Sequence, residues 1–149
     1  MGIIQQFDKE KGLFFIVWDG VVTSDDWFKS AQRFASDPAI FTTARGLADL
    51  RTVEDTSSIQ REAIEQASDI FSADVTVLRG KRLAVVARDE FGKARYFGDR
   101  LGRFGASLVV FNNLDTACIY LEIDLMYASG KLEELRERLR SSPSSTLLK

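Results

Sequence analysis

Residues 82–88, RLAVVAR, carry five consecutive apolar side chains, Leu83 to Ala87, with an arginine on either side. A run this short reads as a strand, and the lack of polar alternation means that both faces of its sheet are covered. A sheet buried on both sides needs helices above and below it, so this segment points to a layered α/β fold. The flanking sequence supplies them. After Asp89, a predicted N-cap, Phe91, Ala94, Phe97, Leu101 and Phe104 recur at helical spacing, and Gly98 and Gly102 lower the helix propensity without breaking the period.

The same alternation runs through the chain. Ile3 to Phe7 and Leu13 to Trp18 are apolar, aromatic and β-branched runs either side of the charged segment Asp8 to Gly12, which predicts an antiparallel hairpin. Thr23 or Ser24 then caps a helix with Asp25 and Asp26 in its first turn, Trp27, Phe28, Ala31, Phe34 and Ala35 on its buried face, and Asp37-Pro38 at its end. Residues 46–50 form the next strand. The polar segment from Asp49 to Ser58 reads as a loop into a second helix striped with Ile59, Ala63, Ala67, Ile70 and Phe71.

Ser107 to Phe111 is the last strand, Asn112-Asn113 its turn, and Asp115 neighbours the cap of a fourth helix carrying Ala117, Cys118, Leu121 and Leu125. The pattern breaks at Ser129-Gly130, and Lys131 to Arg140 resumes as an amphipathic helix with Leu132, Leu135 and Leu139 on one stripe. The order predicts a mostly parallel sheet of about five strands with an antiparallel N-terminal hairpin, four helices and a C-terminal amphipathic helix. That last leucine stripe is the spare element for the second face of the sheet. Residues 1–141 read as one domain and 142–149 as a flexible tail.

Chemistry is sparser than architecture. The chain has no histidine, which removes Ser-His and Cys-His nucleophile pairs, imidazole bases and the commonest transition-metal ligand together. Its glycines match neither a dinucleotide fingerprint nor a P-loop. Twenty basic against twenty-two acidic residues leave a formal charge of -2, so no overall positive field draws the chain to nucleic acid or anionic lipid. Residues 79–103 are locally basic, which we read as a solvated helix face. Cys118 is the lone cysteine and fits a buried small hydrophobe in a reducing compartment, no run nears the roughly 18 apolar residues of a membrane span, and the N-terminal residues lack a signal-peptide pattern. The expected location is the cytoplasm, with no integral membrane association.

Ligands of open α/β sheets bind beyond the carboxyl ends of the parallel strands, which places Asp19, Asp49, Arg51, Arg88, Asp89, Asn112 and Asn113 on a candidate binding rim. Asp19 and Asp49 can be read as carboxylates holding Mg²⁺ through water, or as aspartates bonded to their own turn backbone; the second is ordinary at strand exits and no metal is expected. Ser57 and Ser58 are read as helix-capping residues, and the same place suits a phosphoserine at the positive end of a helix dipole.

The apolar strand ending in Asp49-Leu50, the DTSS run at 55–58, RLAVVAR followed by DEFGKARYF, and VVFNNLDTACIYL together resemble the SpoIIAA-like group of the STAS superfamily, also described as STAS/SEC14-like, whose founding members are anti-sigma-factor antagonists. Element order carries the resemblance over roughly residues 1–125. It implies β-α units wound as a superhelix and, on the antagonists' phosphorylated serine, Ser57 as acceptor with Ser58 beside it. In this chain Thr56 separates Asp55 from the serines and no glycine follows them. Our expectation is a non-enzymatic, cofactor-free regulatory domain that binds a protein partner and self-associates, as a homodimer. The alternative is a module for a lipid or other small apolar ligand, which needs a closed apolar cavity near Trp18, Trp27 and Phe97. An enzyme acting through Asp19 and Asp49 ranks third.

Overall fold

In the computed structural model, residues 2–142 are described, so the predicted tail lies, but for Ser142, outside the described residues. Five strands, β1 (Gly2–Asp8), β2 (Leu13–Val21), β3 (Arg45–Asp55), β4 (Arg82–Val86) and β5 (Ser107–Phe111), pair in sequence order within one sheet. β1 is antiparallel to β2, with Gly2 opposite Asp19 and Asp8 opposite Leu13. The three remaining pairings are parallel, as alternating strands and helices require.

Each parallel step is bridged by a helix: α1 (Ser24–Ser36), α2 (Arg61–Asp69) and α3 (Phe91–Gly102). Trp27 and Ala31 of α1, Ile64 and Ala67 of α2 and, partly buried, Ala94 and Phe97 of α3 pack on one face of the sheet against Ile3, Trp18, Leu50, Val53 and Val85. The opposite face is covered by α4 (Leu114–Leu121) and α5 (Leu125–Arg140). Leu132, Leu135 and Leu139 are fully buried there against Ile4, Phe15, Val17, Leu47 and Val86, each worth about 1.5–3 kcal/mol of burial. The terminal leucine stripe thus covers the second face, and the continuous apolar run of β4 is buried on both sides. Cys118 is buried within that same layer. No helix of the described residues is long and apolar enough to cross a membrane.

Several boundaries differ from the sequence reading. β3 does not stop at residue 50 but continues to Asp55, because register shifts along β2 keep Thr52, Val53 and Asp55 paired with Asp19, Gly20 and Val21. α2 begins at Arg61, so Ser57 and Ser58 lie in the turn before it and do not cap it. α3 is preceded by Glu90, not Asp89, in the N-cap position. Around α1 the expectation holds, with Thr23 and Asp26 forming a reciprocal capping box.

The break expected at Ser129-Gly130 falls instead at Glu122, whose φ of 57° is the only positive one among described non-glycine residues. The Glu122 N–H donates to the Ile119 carbonyl (3.2 Å) and the Ile123 N–H to that of Cys118 (3.0 Å), closing α4 in a Schellman motif. Arg45 Nη1 adds bonds to the carbonyls of Leu121 (2.8 Å) and Glu122 (3.0 Å), and Arg82 Nη1 bonds that of Tyr120 (3.0 Å). Asp124 then caps α5 through the Tyr127 N–H (2.8 Å), and the helix runs uninterrupted through Gly130.

Candidate functional site

Between the sheet and the α1–α3 layer lies a cavity of about 140 Å³. Its walls follow from the inward-facing positions of β2, β3 and β4, which present Phe14, Ile16, Trp18, Ala48, Leu50 and Val85, and from the apolar stripes of α1 and α3, which present Trp27, Ala31, Phe34, Ala94, Phe97 and Leu101. Trp27 is held edge-on against both Trp18 (ring centroids 5.5 Å apart) and Phe97 (4.8 Å), so the three aromatic residues singled out in the sequence share one wall.

Polar side chains enter this lining in two places. The first is Gln5 on β1 with Ser30 on α1, both buried, where the Ser30 hydroxyl donates to Gln5 Oε1 (2.5 Å). The second is a cluster of Thr56, Glu90 and Lys93. Thr56 Oγ1 donates to Glu90 Oε2 (2.6 Å), while Lys93 Nζ donates to the Thr56 carbonyl (2.7 Å) and Oγ1 (3.0 Å) and lies 4.0 Å from Glu90. Thr56 is buried, whereas Glu90 and Lys93 reach solvent, so this cluster ties the turn after β3 to the first turn of α3 at the edge of the cavity.

The predicted rim does not form one site. Asp19, Asp49 and Arg51 belong to the α5 side of the sheet and are engaged with it. Asp49 is fully buried; its Oδ1 accepts from the Arg51 backbone N–H (3.0 Å) and Nε (2.9 Å), and its Oδ2 from Arg51 Nη2 (2.8 Å) and from Arg136 Nη2 on α5. Burial pushes the Asp49 carboxyl up, but the hydrogen bonds and positive charge of Arg51, helped by Arg136, outweigh it and hold it below the usual carboxylate range. Asp19 accepts two bonds from Arg140 (2.9 and 2.8 Å), and that guanidinium holds its carboxyl down at about 2 against the opposing effect of burial. These two carboxylates therefore fasten the last helix to the sheet.

Arg88, Asp89 and Asn112 are exposed at the strand ends, apart from those ion pairs, and Asn112 Oδ1 accepts from the neighbouring Asn113 Nδ2 (2.9 Å). Ser57 and Ser58 are exposed too: the Ser57 N–H donates to Asp55 Oδ1 (2.8 Å), and Ser58 Oγ accepts from the Ser24 N–H (3.3 Å). Among the described residues no group of three or more His, Cys, Asp or Glu side chains is placed to hold a metal ion.

Sequence reasoning did not place Gln5, Ser30, Thr56, Glu90 and Lys93 at one cavity. For two of them a signal was present. Gln5 interrupts the inward-facing series Ile3, Gln5, Phe7 of an apolar strand, and Ser30 falls three residues after Trp27 and four before Phe34, on the stripe that packs inward. A polar group at an inward position is the informative exception to burial. No protein-family model, curated protein or solved structure matches the chain.

Proposed function

We propose that this protein is a non-enzymatic binding module for a small, mainly apolar ligand held between the sheet and α1–α3. The observation that carries this reading is the cavity itself: apolar side chains make up most of its wall, it holds about 140 Å³, and its polar groups are few and localised. A dry apolar cavity of about 150 Å³ takes up benzene, so the ligand class is a single ring or a short chain of similar bulk. Glu90 and Lys93, the charged pair on its edge, are already satisfied through Thr56, which suits a gatepost better than an acid–base couple.

The chain's two tryptophans, Trp18 and Trp27, both line the cavity, so occupancy is readable without a label. Titration with toluene is expected to give a saturable change in tryptophan emission, and native mass spectrometry of freshly purified protein a retained small molecule. Unchanged emission at saturating toluene, together with no retained mass, would overturn the reading.

A second reading, a phosphorylation-sensitive surface for a protein partner, draws on the exposure of Ser57 and Ser58 beside the exposed Glu54 and Asp55. A phosphate there adds about two negative charges to an acidic turn and repels an acidic partner face. Intact protein from its source cells would carry one phosphate mass that Ser57→Ala or Ser58→Ala removes. Finding none counts against this reading and leaves the cavity untouched.

A further inference from the structure

Gln5 Nε2 is buried and has no hydrogen-bond partner, one of two side-chain polar atoms in that condition among the described residues. The Gln5 side chain is wholly out of solvent, and its other amide atom, Oε1, is held by the Ser30 hydroxyl (2.5 Å). Leaving an amide N–H₂ dry and unpaired carries a substantial desolvation cost, so such groups in folded chains normally meet a partner. Gln5 and Ser30 both line the cavity, and most of the wall around them is apolar. The unsatisfied donor thus belongs to a residue of the cavity wall.

From this we infer that the cavity selects a compact apolar molecule bearing a neutral hydrogen-bond acceptor, a ketone, aldehyde or ester carbonyl, with Gln5 Nε2 donating to that oxygen and Ser30 orienting the amide. The inference rests on the binding reading above and specifies its chemistry. The Ser30 hydroxyl, placed as donor to Oε1, leaves Nε2 as the amide edge without a partner. Charge plays no part at this end of the cavity: the charged groups of the lining, Glu90 and Lys93, belong to the Thr56 cluster and are paired there. A carboxylate or phosphate head would therefore enter a neutral site without a counter-charge, at a large desolvation cost. A carbonyl loses little on leaving water and relieves the unpaired donor.

The test compares two molecules of equal shape, cyclohexanone and methylenecyclohexane, which differ by an oxygen acceptor in place of a CH₂. Dissociation constants are measured by calorimetry for the intact chain and for Gln5→Leu, with Gln5→Met as the second variant should the first fail to fold. Cyclohexanone is expected to bind the native chain about tenfold more tightly, the value of one neutral hydrogen bond made to a buried group otherwise unpaired. In the variants that preference disappears while methylenecyclohexane still binds, which shows the cavity to be intact. Equal affinity of the native chain for both molecules, or a ketone preference that survives the loss of Gln5, would overturn the inference and leave the binding reading standing. Failure of both molecules and of toluene to bind would overturn the binding reading itself.

Discussion

Arg136 on α5 donates to Asp49 on β3 across a layer in which neither side chain is more than 5% exposed. Both sit where an apolar contact would ordinarily be expected, so the pair fixes the position of α5 at the expense of desolvating two charges. Arg136 is further held by Thr52 Oγ1 (3.2 Å) and Glu133 (2.9 Å). Removing one partner leaves the other charged and buried. Arg136→Met is therefore expected to lower unfolding stability by about 2–4 kcal/mol in urea, softened because Arg51 still serves Asp49. The double variant with Asp49→Asn should lose at least about 1 kcal/mol less than the two single losses added together. Additive losses would mean that the pair is not coupled.

Acid should loosen the same attachment. The Asp19 carboxyl lies at about 2 in the folded chain against 3.8 when unperturbed, so the unfolded state binds a proton first as the pH falls. The stabilisation is complete above about pH 4 and is lost as the pH drops towards 2, a contribution of about 1–2 kcal/mol once the half-exposed Arg140 is allowed for. Asp49 is shifted in the same direction and steepens the loss. Urea midpoints measured from pH 5 to pH 2 should fall across this window, and Arg140→Gln should flatten the fall while lowering stability at pH 5. An unchanged slope in that variant would remove Asp19 from the account.

Within the DTSS run, Thr56 matters more to the fold than the serines. It is buried and bonded to both Glu90 and Lys93, whereas Ser57 and Ser58 are exposed. Thr56→Val keeps the shape and the Lys93 bond to the residue-56 carbonyl but removes the hydroxyl that joins Glu90 to Lys93, at an expected loss of about 1–2 kcal/mol. Ser57→Ala and Ser58→Ala are each expected to stay within about 0.5 kcal/mol of the native chain. A larger loss at Ser57 than at Thr56, by thermal or urea unfolding, would contradict this ordering.

What was legible in the sequence follows from which signals are local. Apolar runs marked the five strands and periodicity the helix faces, because a strand such as β4 carries its burial in its own residues. The exit of β3 was misread because Thr52 and Asp55 are polar, and only their pairing with the bulged β2 keeps them in the sheet. The end of α4 was missed because the left-handed position is filled by Glu122, where glycine would have announced it. Gly130 announced a break that does not exist. For the candidate site, Trp18, Trp27 and Phe97 were found as a group, since aromatic residues at inward positions are visible locally. Gln5 with Ser30, and Asp49 with Arg136, join residues 25 and 87 positions apart, and no local pattern reports such a pairing.

The glycines of α3 and α5 offer a direct comparison of propensity with packing. Gly130 lies inside α5, is exposed, and a Cβ built on it would meet nothing within 4 Å. Alanine there gains the full helical preference, so Gly130→Ala should raise stability by about 1 kcal/mol. Gly98 lies inside α3 at the same intrinsic disadvantage, but its Cβ would come within 3.1 Å of Leu108 Cδ2 and 3.3 Å of Leu108 Cβ, on the strand over which α3 packs. Leu108 must give way by a few tenths of an ångström, and its Cβ, anchored to the backbone, moves only with β5. Gly98→Ala should therefore fall short of Gly130→Ala by about 1 kcal/mol or more, ending near neutral or destabilised, as read from urea midpoints at constant slope. Equal gains at both positions would show that α3 is free to shift on β5, and the close approach of Gly98 to Leu108 would then carry no constraint on the fold.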